Sequence, residues 1–376
     1  MLRYCIFSTD CDNIFLIGQY LAKIWTKVTF LQSQKNTMSV TLRVSHSFFI
    51  LLVTSAILFG VQIVQYSSDS FARSKNKRNR NFQVAGSPCF TVGFTLPRGG
   101  LGNYLFFYSG VMYVAWLTGR TPVVLTKKYT KLDKAFDLDI AREDKNNRCP
   151  ARIFRYKYIY GYDTGIKNLI SVKTNVSIHL DGNCFSWKYT QPIEHQLRQR
   201  LRFRRELTVF AEKFLSNNIP RGWDTLKFVR VGIHVRRGDF LSRWAIRIGL
   251  TVASKEYVYQ AMTYFVKRYH RVQFVVASND IAWCETNIKS SSINKQRVNI
   301  TFSIGHSAEQ DLTLLASCDH TIMTTGTYGW WASWLANGTT VYYNILARRG
   351  TEVWRRSRVA DHFPPTWIGM NETRNF

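Results

Sequence analysis

Short apolar runs and helix-like segments alternate along the second half of the chain, and this order limits the possible folds more than any other feature. The apolar runs have the length and the β-branched content of buried strands. They cover residues 228–235, 272–277, 298–302, 320–324 and 340–343. Because a helix-like segment follows each of the first four runs, the pattern predicts a parallel, doubly wound α/β sheet.

The first half of the chain mixes strand and helix signals. Its clearest helix is predicted over 192–217, where apolar residues recur at helical spacing. In the second half, Ser307 and Gln310 have the spacing of a capping box, and the tryptophans of 328–336 are expected in the core. Hydrophobic residues make up 45% of the chain, which is enough to bury a sizeable core.

An uncharged apolar stretch, residues 47–66, precedes the folded region. About 20 such residues in a helix span the hydrocarbon core of a bilayer, so we predict a single transmembrane anchor. A cleaved signal peptide is the alternative, but its apolar stretch is shorter and lies nearer the start of the chain. The anchor divides the chain into a tail at 1–46, for which Met38 is a second candidate start, and a basic stem at 67–86.

Cations flank the predicted anchor on both sides and leave its orientation open. The Asn-x-Ser/Thr glycosylation acceptors all follow the anchor, which favours a lumenal C-terminal part. These acceptors are Asn175, Asn299, Asn337 and Asn371. The cysteines beyond the anchor lack the spacing of a zinc site.

The chain is strongly basic, with 51 Lys and Arg against 24 Asp and Glu and a formal charge of +27. Such a surplus favours an anionic partner, but it does not choose among nucleic acid, a membrane, a sulfated glycan and a phosphorylated ligand. One diphosphate needs only a few cations. We therefore expect most of the surplus to be a solvated surface, with no nucleic-acid partner.

Two polar segments stand where strands of the second half end. Residues 234–239 follow the first strand, and residues 324–327 follow the fourth. Because ligands of open parallel sheets bind at the carboxyl ends of strands, near helix N-termini, both segments are expected at one site. Arg236 and Arg237 offer forked donors that suit a pyrophosphate. The residues indicate a nucleotide site; the alternative is a pair of surface cations and an ordinary turn.

Four segments resemble, in order and spacing, the signatures of the α-1,2-fucosyltransferases, which are inverting enzymes that use GDP-fucose. They are Gly99-Gly-Leu-Gly-Asn-Tyr-Leu-Phe106, Gly232-Ile-His-Val-Arg-Arg-Gly-Asp-Phe240, Phe274-Val-Val-Ala-Ser-Asn-Asp280 and the stretch from Gln310 to Ala332. The resemblance implies a Golgi type II membrane enzyme with a GT-B-like fold of two Rossmann-type domains. An acceptor-side domain is expected at 87–225, and a GDP-fucose-binding domain at 226–376.

The implied reaction transfers L-fucose from GDP-fucose to the 2-hydroxyl of a terminal galactose on a glycoprotein or glycolipid. The resemblance implies that His234 contacts guanine, that Asp311 pairs with the guanine amino edge and that Arg236 is the main pyrophosphate ligand. Arg237 is expected to support the loop or the same phosphates. The remaining implied donor ligands are Thr325, Gly326, Thr327 and, from the other domain, Asn103.

Catalysis is expected to rest on Arg236, which would stabilise charge on the departing GDP, and on Asp239 as the first candidate for the general base. The resemblance implies no cofactor and no metal, and Asp137-Leu-Asp139 is not expected to hold manganese. Tyr104 stands where many relatives carry Gln, and Asn279 replaces a frequent acid.

The alternatives to this function are fucosyl transfer to another acceptor, an inactive membrane-tethered lectin-like relative, and a basic protein that binds sulfated glycans or nucleic acid.

Overall fold

The computed structural model describes most of the chain from residue 90 onward. The described residues are 90–94, 99–124, 130–138, 141–142, 152–157, 161–182, 184–223, 225–290, 293 and 297–372. All of them lie within one compact unit, Arg80–Phe376. The predicted tail, anchor and stem lie outside the described residues. Among the helices of the described ranges, none is both long and apolar enough to cross a membrane.

A parallel sheet is built from the first half of the described chain. Its strands are β1 Thr91–Phe94, β2 Thr121–Val124, β3 Ala141–Arg142, β4 Arg152–Lys157 and β5 Val176–Asp181. They lie in the order β3-β2-β1-β5-β4, and neighbouring strands pair in parallel. Strand and helix signals are mixed over this half of the sequence because these strands are short and the edge strand β4 is largely exposed.

The helices of this half are α1 Leu101–Thr118, α2 Thr130–Ala135, α3 Trp187–Thr190, α4 Glu194–Arg200 and α5 Arg205–Asn217. Helix α1 is apolar on all sides and almost wholly buried, which makes it the central helix of this half. The 3₁₀ turns of the described chain cover Thr164–Ser171, Gln191–Ile193 and, in the second half, Gly238–Leu241.

The prediction of one helix over 192–217 is wrong, because the chain leaves the helical conformation between α4 and α5. At this break Phe203 forms an isolated antiparallel bridge with Phe136, and the two rings stack with centroids 4.8 Å apart. The backbone N–H of Arg204 donates to the carbonyl of Ala135 at 3.0 Å. A tertiary contact thus interrupts a segment whose apolar spacing favours a continuous helix.

A second parallel sheet is built from the rest of the chain, as the alternating pattern predicted. Its strands are β6 Val229–Val235, β7 Val272–Ser278, β8 Val298–Phe302, β9 His320–Met323, β10 Thr340–Tyr343 and β11 Ile368–Met370. They lie in the order β11-β10-β9-β6-β7-β8, with parallel pairing throughout. The structure therefore confirms the α/β class, and it adds β11, which the sequence did not predict.

Seven helices belong to the second half of the described chain. They are α6 Arg243–Ile248, α7 Lys255–Val266, α8 Ile281–Asn287, α9 Ala308–Ala316, α10 Thr327–Ala336, α11 Glu352–Arg356 and α12 Val359–His362. The capping box of Ser307 and Gln310 at the start of α9 is confirmed.

Aromatic side chains from both halves share one core between α1 and α10. The ring of Phe106 lies 4.7 Å from that of Trp330 and 5.2 Å from that of Trp331, measured between centroids. Trp330, Trp331 and Trp334 are at most 5% exposed, which confirms that these tryptophans belong to the core. This packing holds the starts of α1 and α10 side by side.

Candidate functional site

A cleft of about 990 Å³ lies at the carboxyl ends of β6, β7 and β9. This is the edge at which open parallel sheets bind ligands. Its lining includes residues 99–103 from the first half and residues of the second sheet and its loops. Of the residues expected to bind the donor, the cleft brings together His234, Arg236, Asp311, Thr325, Gly326, Thr327 and Asn103; Asp239 also lines it.

Two helix N-termini face this cleft. Helix α1 begins after Gly100 and α10 begins after Gly326, and neither end has a side-chain cap. Neither first turn contains an acidic residue. The first backbone N–H groups of each helix therefore present partial positive charge that no protein carboxylate offsets there. This arrangement suits a ligand with negative charge.

The two N-termini approach each other closely because Gly102 has no side chain. A Cβ atom at Gly102 would lie 2.5–2.7 Å from the backbone of Thr327 and Tyr328. One residue further on, Asn103 Oδ1 accepts a hydrogen bond from Thr327 Oγ1 at 2.6 Å. Gly326 adopts a φ of 90°, a value that favours glycine, at the turn into α10. The Gly-rich segment and the Thr-Gly-Thr segment thus form one joined surface.

Arg236 extends into the cleft from the end of β6. Its backbone N–H donates to Thr324 Oγ1 at 2.8 Å, which fixes the start of the loop. Its guanidinium Nη2 lies 2.7 Å from the carboxylate of Asp239, and its Cζ lies 5.3 Å from the centroid of the Phe240 ring. The Asp239 side chain is 62% exposed, so the ion pair is weak and a bound anion can replace the carboxylate at small cost.

Arg237 is held outside the cleft. Its Nε lies 3.1 Å from Asp280 Oδ2, and its Cζ lies 4.1 Å from the centroid of the Trp283 ring. Its backbone N–H donates to Asn279 Oδ1 at 3.0 Å. These contacts fasten the loop after β6 to the start of α8, and they leave only Arg236 of the two arginines among the cleft-lining residues.

His234 lies at the base of the cleft and is 4% exposed. Burial, and secondarily the positive charge of Arg236, lowers the pKa of His234 to about 3, so the ring is neutral at physiological pH. Its centroid is 5.0 Å from that of Tyr328, and a Cβ at Gly329 would lie 2.4 Å from its Nδ1. Within the described residues Nδ1 has no hydrogen-bond partner. A neutral imidazole held in this way can offer one donor or acceptor to a heterocyclic base.

Asp311 is a second polar group of the cleft, and it is half-buried. Burial raises its pKa to about 6, against the opposing effect of a hydrogen bond from Ser303. Ser303 Oγ lies 2.5 Å from Asp311 Oδ1 and 2.8 Å from His306 Nδ1. Because a hydroxyl carries one proton, Ser303 donates to the ionised carboxylate and accepts from a protonated Nδ1 of His306. This chain orients the carboxylate.

The hydroxyl of Thr325 makes a hydrogen bond within the protein. Thr325 is 5% exposed, and its Oγ1 donates to the carbonyl of Thr251 at 3.2 Å.

Tyr104, which stands where many relatives carry Gln, is buried and does not line the cleft. The Nζ atom of Lys131 lies 5.3 Å from the centroid of the Tyr104 ring and donates a hydrogen bond to the carbonyl of Gly99 at 2.6 Å. Tyr104 therefore contacts the Gly-rich loop through Lys131, on the side away from the cleft.

Several residues at or beside the cleft are not indicated by the sequence motifs. Ser303 does not line the cleft, but its hydroxyl hydrogen-bonds Asp311, which does. Its position directly after β8, at the same sheet edge, is the signal that could have indicated it. His306 has no ligand spacing in the sequence, yet it lines the cleft and contacts Ser303. Glu352 and Arg356 line the cleft from α11 and form an ion pair at 2.9 Å. No motif or periodicity marks these last two positions in the sequence.

The glycosylation acceptors are placed differently from one another. Asn175 and Asn337 are exposed, although Asn337 Oδ1 also accepts a hydrogen bond from Arg198 at 2.8 Å. Asn299 is half-buried on β8, and Asn371 is half-buried after β11.

The described residues contain no cluster of three or more His, Cys, Asp or Glu side chains suited to a metal ion. Asp139 lies outside the described residues.

Comparison with known proteins assigns the chain to a family. The sequence profile of glycosyl transferase family 11 matches residues 57–371. The chain belongs to this family. Galactoside alpha-(1,2)-fucosyltransferase 1 of Homo sapiens is 30% identical over 282 residues, which cover 73% of this chain and 74% of the human protein. The protein of the same name from Oryctolagus cuniculus is 29% identical, with 76% of each chain covered.

Solved structures resemble this family 11 chain only distantly. A mutant of Arabidopsis thaliana FUT1 in complex with GDP has a TM-score of 0.49 and 13% identity, and the match covers 73% of this chain and 74% of that one. POFUT1 in complex with GDP-fucose has a TM-score of 0.45 and 11% identity, with 69% and 99% covered. The family assignment therefore rests on the sequence matches.

Proposed function

We propose that this protein is a galactoside α-1,2-fucosyltransferase that binds GDP-fucose in the cleft and transfers L-fucose to the 2-hydroxyl of a terminal galactose. The chain belongs to family 11, and residues of its signature segments line one cleft. This observation is the main support for the proposal. In this cleft, Arg236 and two uncapped helix N-termini supply positive charge for a diphosphate. Two parallel sheets that flank a shared cleft support the GT-B-like arrangement, with residues 87–225 on the acceptor side and 226–376 on the donor side.

The charge and the burial of the cleft residues support one placement of the donor. The diphosphate lies against the first N–H groups of α10, Thr327 Oγ1 and the guanidinium of Arg236. The guanine lies between the neutral ring of His234 and the carboxylate of Asp311, whose acceptor oxygens match the N–H groups on the edge of guanine. Asn103, which already contacts Thr327, reaches the same phosphate or the fucose from the first half.

Transfer forms one bond and breaks one. The galactose 2-hydroxyl oxygen attacks the anomeric carbon of fucose from the face opposite the phosphate, which inverts that carbon. The bond between this carbon and the β-phosphate oxygen breaks, and its electron pair stays on GDP. Arg236 and the amides of α10 stabilise the added negative charge, which requires no metal or other cofactor.

Asp239 accepts the proton of the galactose hydroxyl in this proposal. In the free protein its carboxylate is occupied by Arg236 at 2.7 Å. A bound diphosphate competes for the same guanidinium and so frees the carboxylate when the donor is in place. Donor binding thus prepares the base, and a carboxylate within hydrogen-bond reach of the hydroxyl completes the requirement for general-base catalysis.

Features of the sequence support a location in the Golgi membrane. The uncharged stretch 47–66 and the acceptors beyond it support a single-pass type II protein of the Golgi membrane with a lumenal catalytic part. Protein made in cells is expected to lose mass on treatment with peptide N-glycosidase. Unchanged mobility would count against a lumenal position.

The test is transfer of radiolabelled fucose from GDP-fucose by the full-length protein in detergent. Acceptors with terminal galactose are compared with a core N-glycan and a peptide acceptor. Galactosides are expected to be labelled, and Arg236→Ala to abolish labelling. Labelling of only the core glycan or the peptide would move the function to another acceptor. GDP binding without transfer to any acceptor would indicate an inactive lectin-like relative, and salt-sensitive polyanion binding without GDP competition would indicate a basic binding protein.

A further inference from the structure

A pocket lined by aromatic rings lies on the first half of the structure, apart from the cleft. Its volume is about 460 Å³, and it shares no lining residue with the cleft. The volume falls within the range of about 300–1,000 Å³ that is usual for small-molecule sites. Its aromatic side chains are Tyr113, Trp116, Tyr162 and Trp187.

The rings are fixed in place by their surroundings. Tyr113 is 4% exposed, its hydroxyl is hydrogen-bonded to Tyr162, and its ring centroid lies 6.0 Å from that of Trp116. Trp187 Nε1 donates to the carbonyl of Ala360 at 3.0 Å. Trp116, Tyr162 and Trp187 are only half-buried, so part of each ring remains open to a ligand. Rigid rings lose little conformational entropy when a ligand packs on them.

The polar groups of the pocket are donors, and no carboxylate lines it. Lys188 lies 5.0 Å from the centroid of Tyr162, and Asp361, outside the pocket, neutralises its charge at 2.6 Å. Lys167 is exposed, and among the described residues it has neither an ion pair nor a hydrogen bond. Gln191 adds an exposed side-chain amide.

This combination fits a pyranose ring better than a hydrocarbon chain. The C–H faces of a sugar pack on aromatic faces, which carry partial negative charge, while its hydroxyls remain at the ring edge. Those hydroxyls can form hydrogen bonds with the ammonium group of Lys167 and the amide of Gln191, whereas a hydrocarbon can form none with either group. We propose that the pocket is an accessory glycan-binding site that takes one pyranose ring, with Trp116 as the main platform.

The test measures sugar binding to full-length protein by saturation-transfer NMR, with GDP present to occupy the donor part of the cleft. The probes are the methyl glycosides of β-galactose, N-acetyl-β-glucosamine and α-mannose. Trp116→Ala is expected to weaken the binding of at least one probe by about tenfold, since one stacking surface is removed. Trp116→Phe keeps a ring and is expected to retain most of the affinity. Trp354→Ala is the matched control, because Trp354 is 45% exposed and lines neither cavity.

A second variant covers the case in which Trp116→Ala fails to fold. Lys167→Met replaces an exposed side chain, leaves the rings in place and is expected to weaken the same probe by about threefold through loss of one hydrogen bond. Equal binding by the wild type, Trp116→Ala and Lys167→Met would overturn the proposal, and so would the absence of binding by the wild type.

Fucose transfer to a small galactoside is measured on the same samples, so the two proposals can fail separately. Trp116→Ala is expected to transfer at the wild-type rate, because Trp116 lies outside the cleft. A wild type that binds sugar through Trp116 but does not transfer fucose contradicts only the proposed function. A wild type that transfers fucose, but whose sugar binding does not depend on Trp116 or Lys167, contradicts only the accessory site.

Discussion

Adjacent arginines after β6 differ in what surrounds them, although the sequence presents them as a pair. Arg236 lies in the cleft against an exposed carboxylate, whereas Arg237 is held between Asp280 and the Trp283 ring. A pyrophosphate can therefore recruit Arg236 by displacing a weak ion pair. Recruiting Arg237 would require breaking both an ion pair and a cation–π contact.

Lysine substitutions separate these roles at constant charge. Arg236→Lys is expected to lower kcat for fucose transfer by about 100-fold, because a forked donor to the leaving phosphate is lost. Arg237→Lys is expected to reduce the free energy of unfolding by about 1 kcal/mol and to affect kcat much less. Steady-state kinetics and thermal unfolding of both variants check this. A larger kcat loss in Arg237→Lys would contradict the assignment.

Asp311 gives donor binding a predictable pH dependence. Burial raises its pKa in the free protein to about 6. In the proposed placement of the donor, guanine N–H groups bind the ionised form. Binding therefore lowers the pKa, so affinity for GDP-fucose is fully present above about pH 6 and is lost as the pH falls through this value. His234, with its pKa lowered to about 3, stays neutral in this range and adds no step.

Calorimetric titration with GDP-fucose between about pH 5 and pH 7.5 measures this dependence. Asp311→Asn is expected to remove the step and to weaken binding at neutral pH by about tenfold or more, since one acceptor becomes a donor. A step that persists in Asp311→Asn would assign it to another group.

The N-termini of helices α1 and α10 lie side by side, and glycine makes this close approach possible. Helix α1 and helix α10 both present uncapped N-termini, and the backbone of Thr327–Tyr328 occupies the place of a Cβ on Gly102. A ligand phosphate here meets the partial charges of both helices rather than of one. The spacing of the two helix ends is therefore part of the site.

Alanine substitutions at neighbouring glycines test the importance of this spacing. Gly102→Ala is expected to force the helix ends apart, to cost about 1–3 kcal/mol of stability and to reduce GDP affinity. Gly100→Ala is the matched control, because a Cβ there meets nothing within 4 Å and its φ of −85° suits any residue. Thermal unfolding and GDP titration distinguish the two variants. Equal effects would show that the close approach is unimportant.

The elements of the second half could be predicted from the sequence, whereas parts of the first half could not. Buried parallel strands such as β6 and β7 are continuous apolar runs in the sequence. Because the carboxyl ends of parallel strands lie at one edge of the sheet, residues 234–239 and 324–327 could be expected there together. The break between α4 and α5 depends on a contact of Phe203 with Phe136, which no local pattern reveals. The cleft-lining position of α11 likewise depends on tertiary packing.

In the described part of the chain, an aromatic core joins the two sheets. Phe106 on α1 packs against Trp330 and Trp331 on α10, and all three are at most 1% exposed. A core that joins the two sheets makes their stabilities interdependent. It also keeps the two walls of the cleft in register without bound ligand.

Removing one ring of this core is expected to destabilise both sheets together. Phe106→Ala should cost about 3–5 kcal/mol, because it leaves a cavity among large buried rings. Hydrogen exchange of strands β1 and β6 should accelerate to a similar degree. Phe154→Ala is the control, because Phe154 is 42% exposed on the edge strand β4. Acceleration confined to the first sheet would show that the two halves unfold independently.

The position of the new bond on galactose distinguishes an α-1,2-fucosyltransferase from enzymes that fucosylate other positions. The most direct measurement is NMR determination of the linkage in the product formed from GDP-fucose and a galactose-terminated disaccharide, with Arg236→Lys assayed in parallel. We predict fucose on C2 of galactose, with the anomeric configuration opposite to that of the donor, and a product yield that falls with Arg236→Lys. Fucose on any other carbon, retention of configuration, or full activity in the variant would contradict the account.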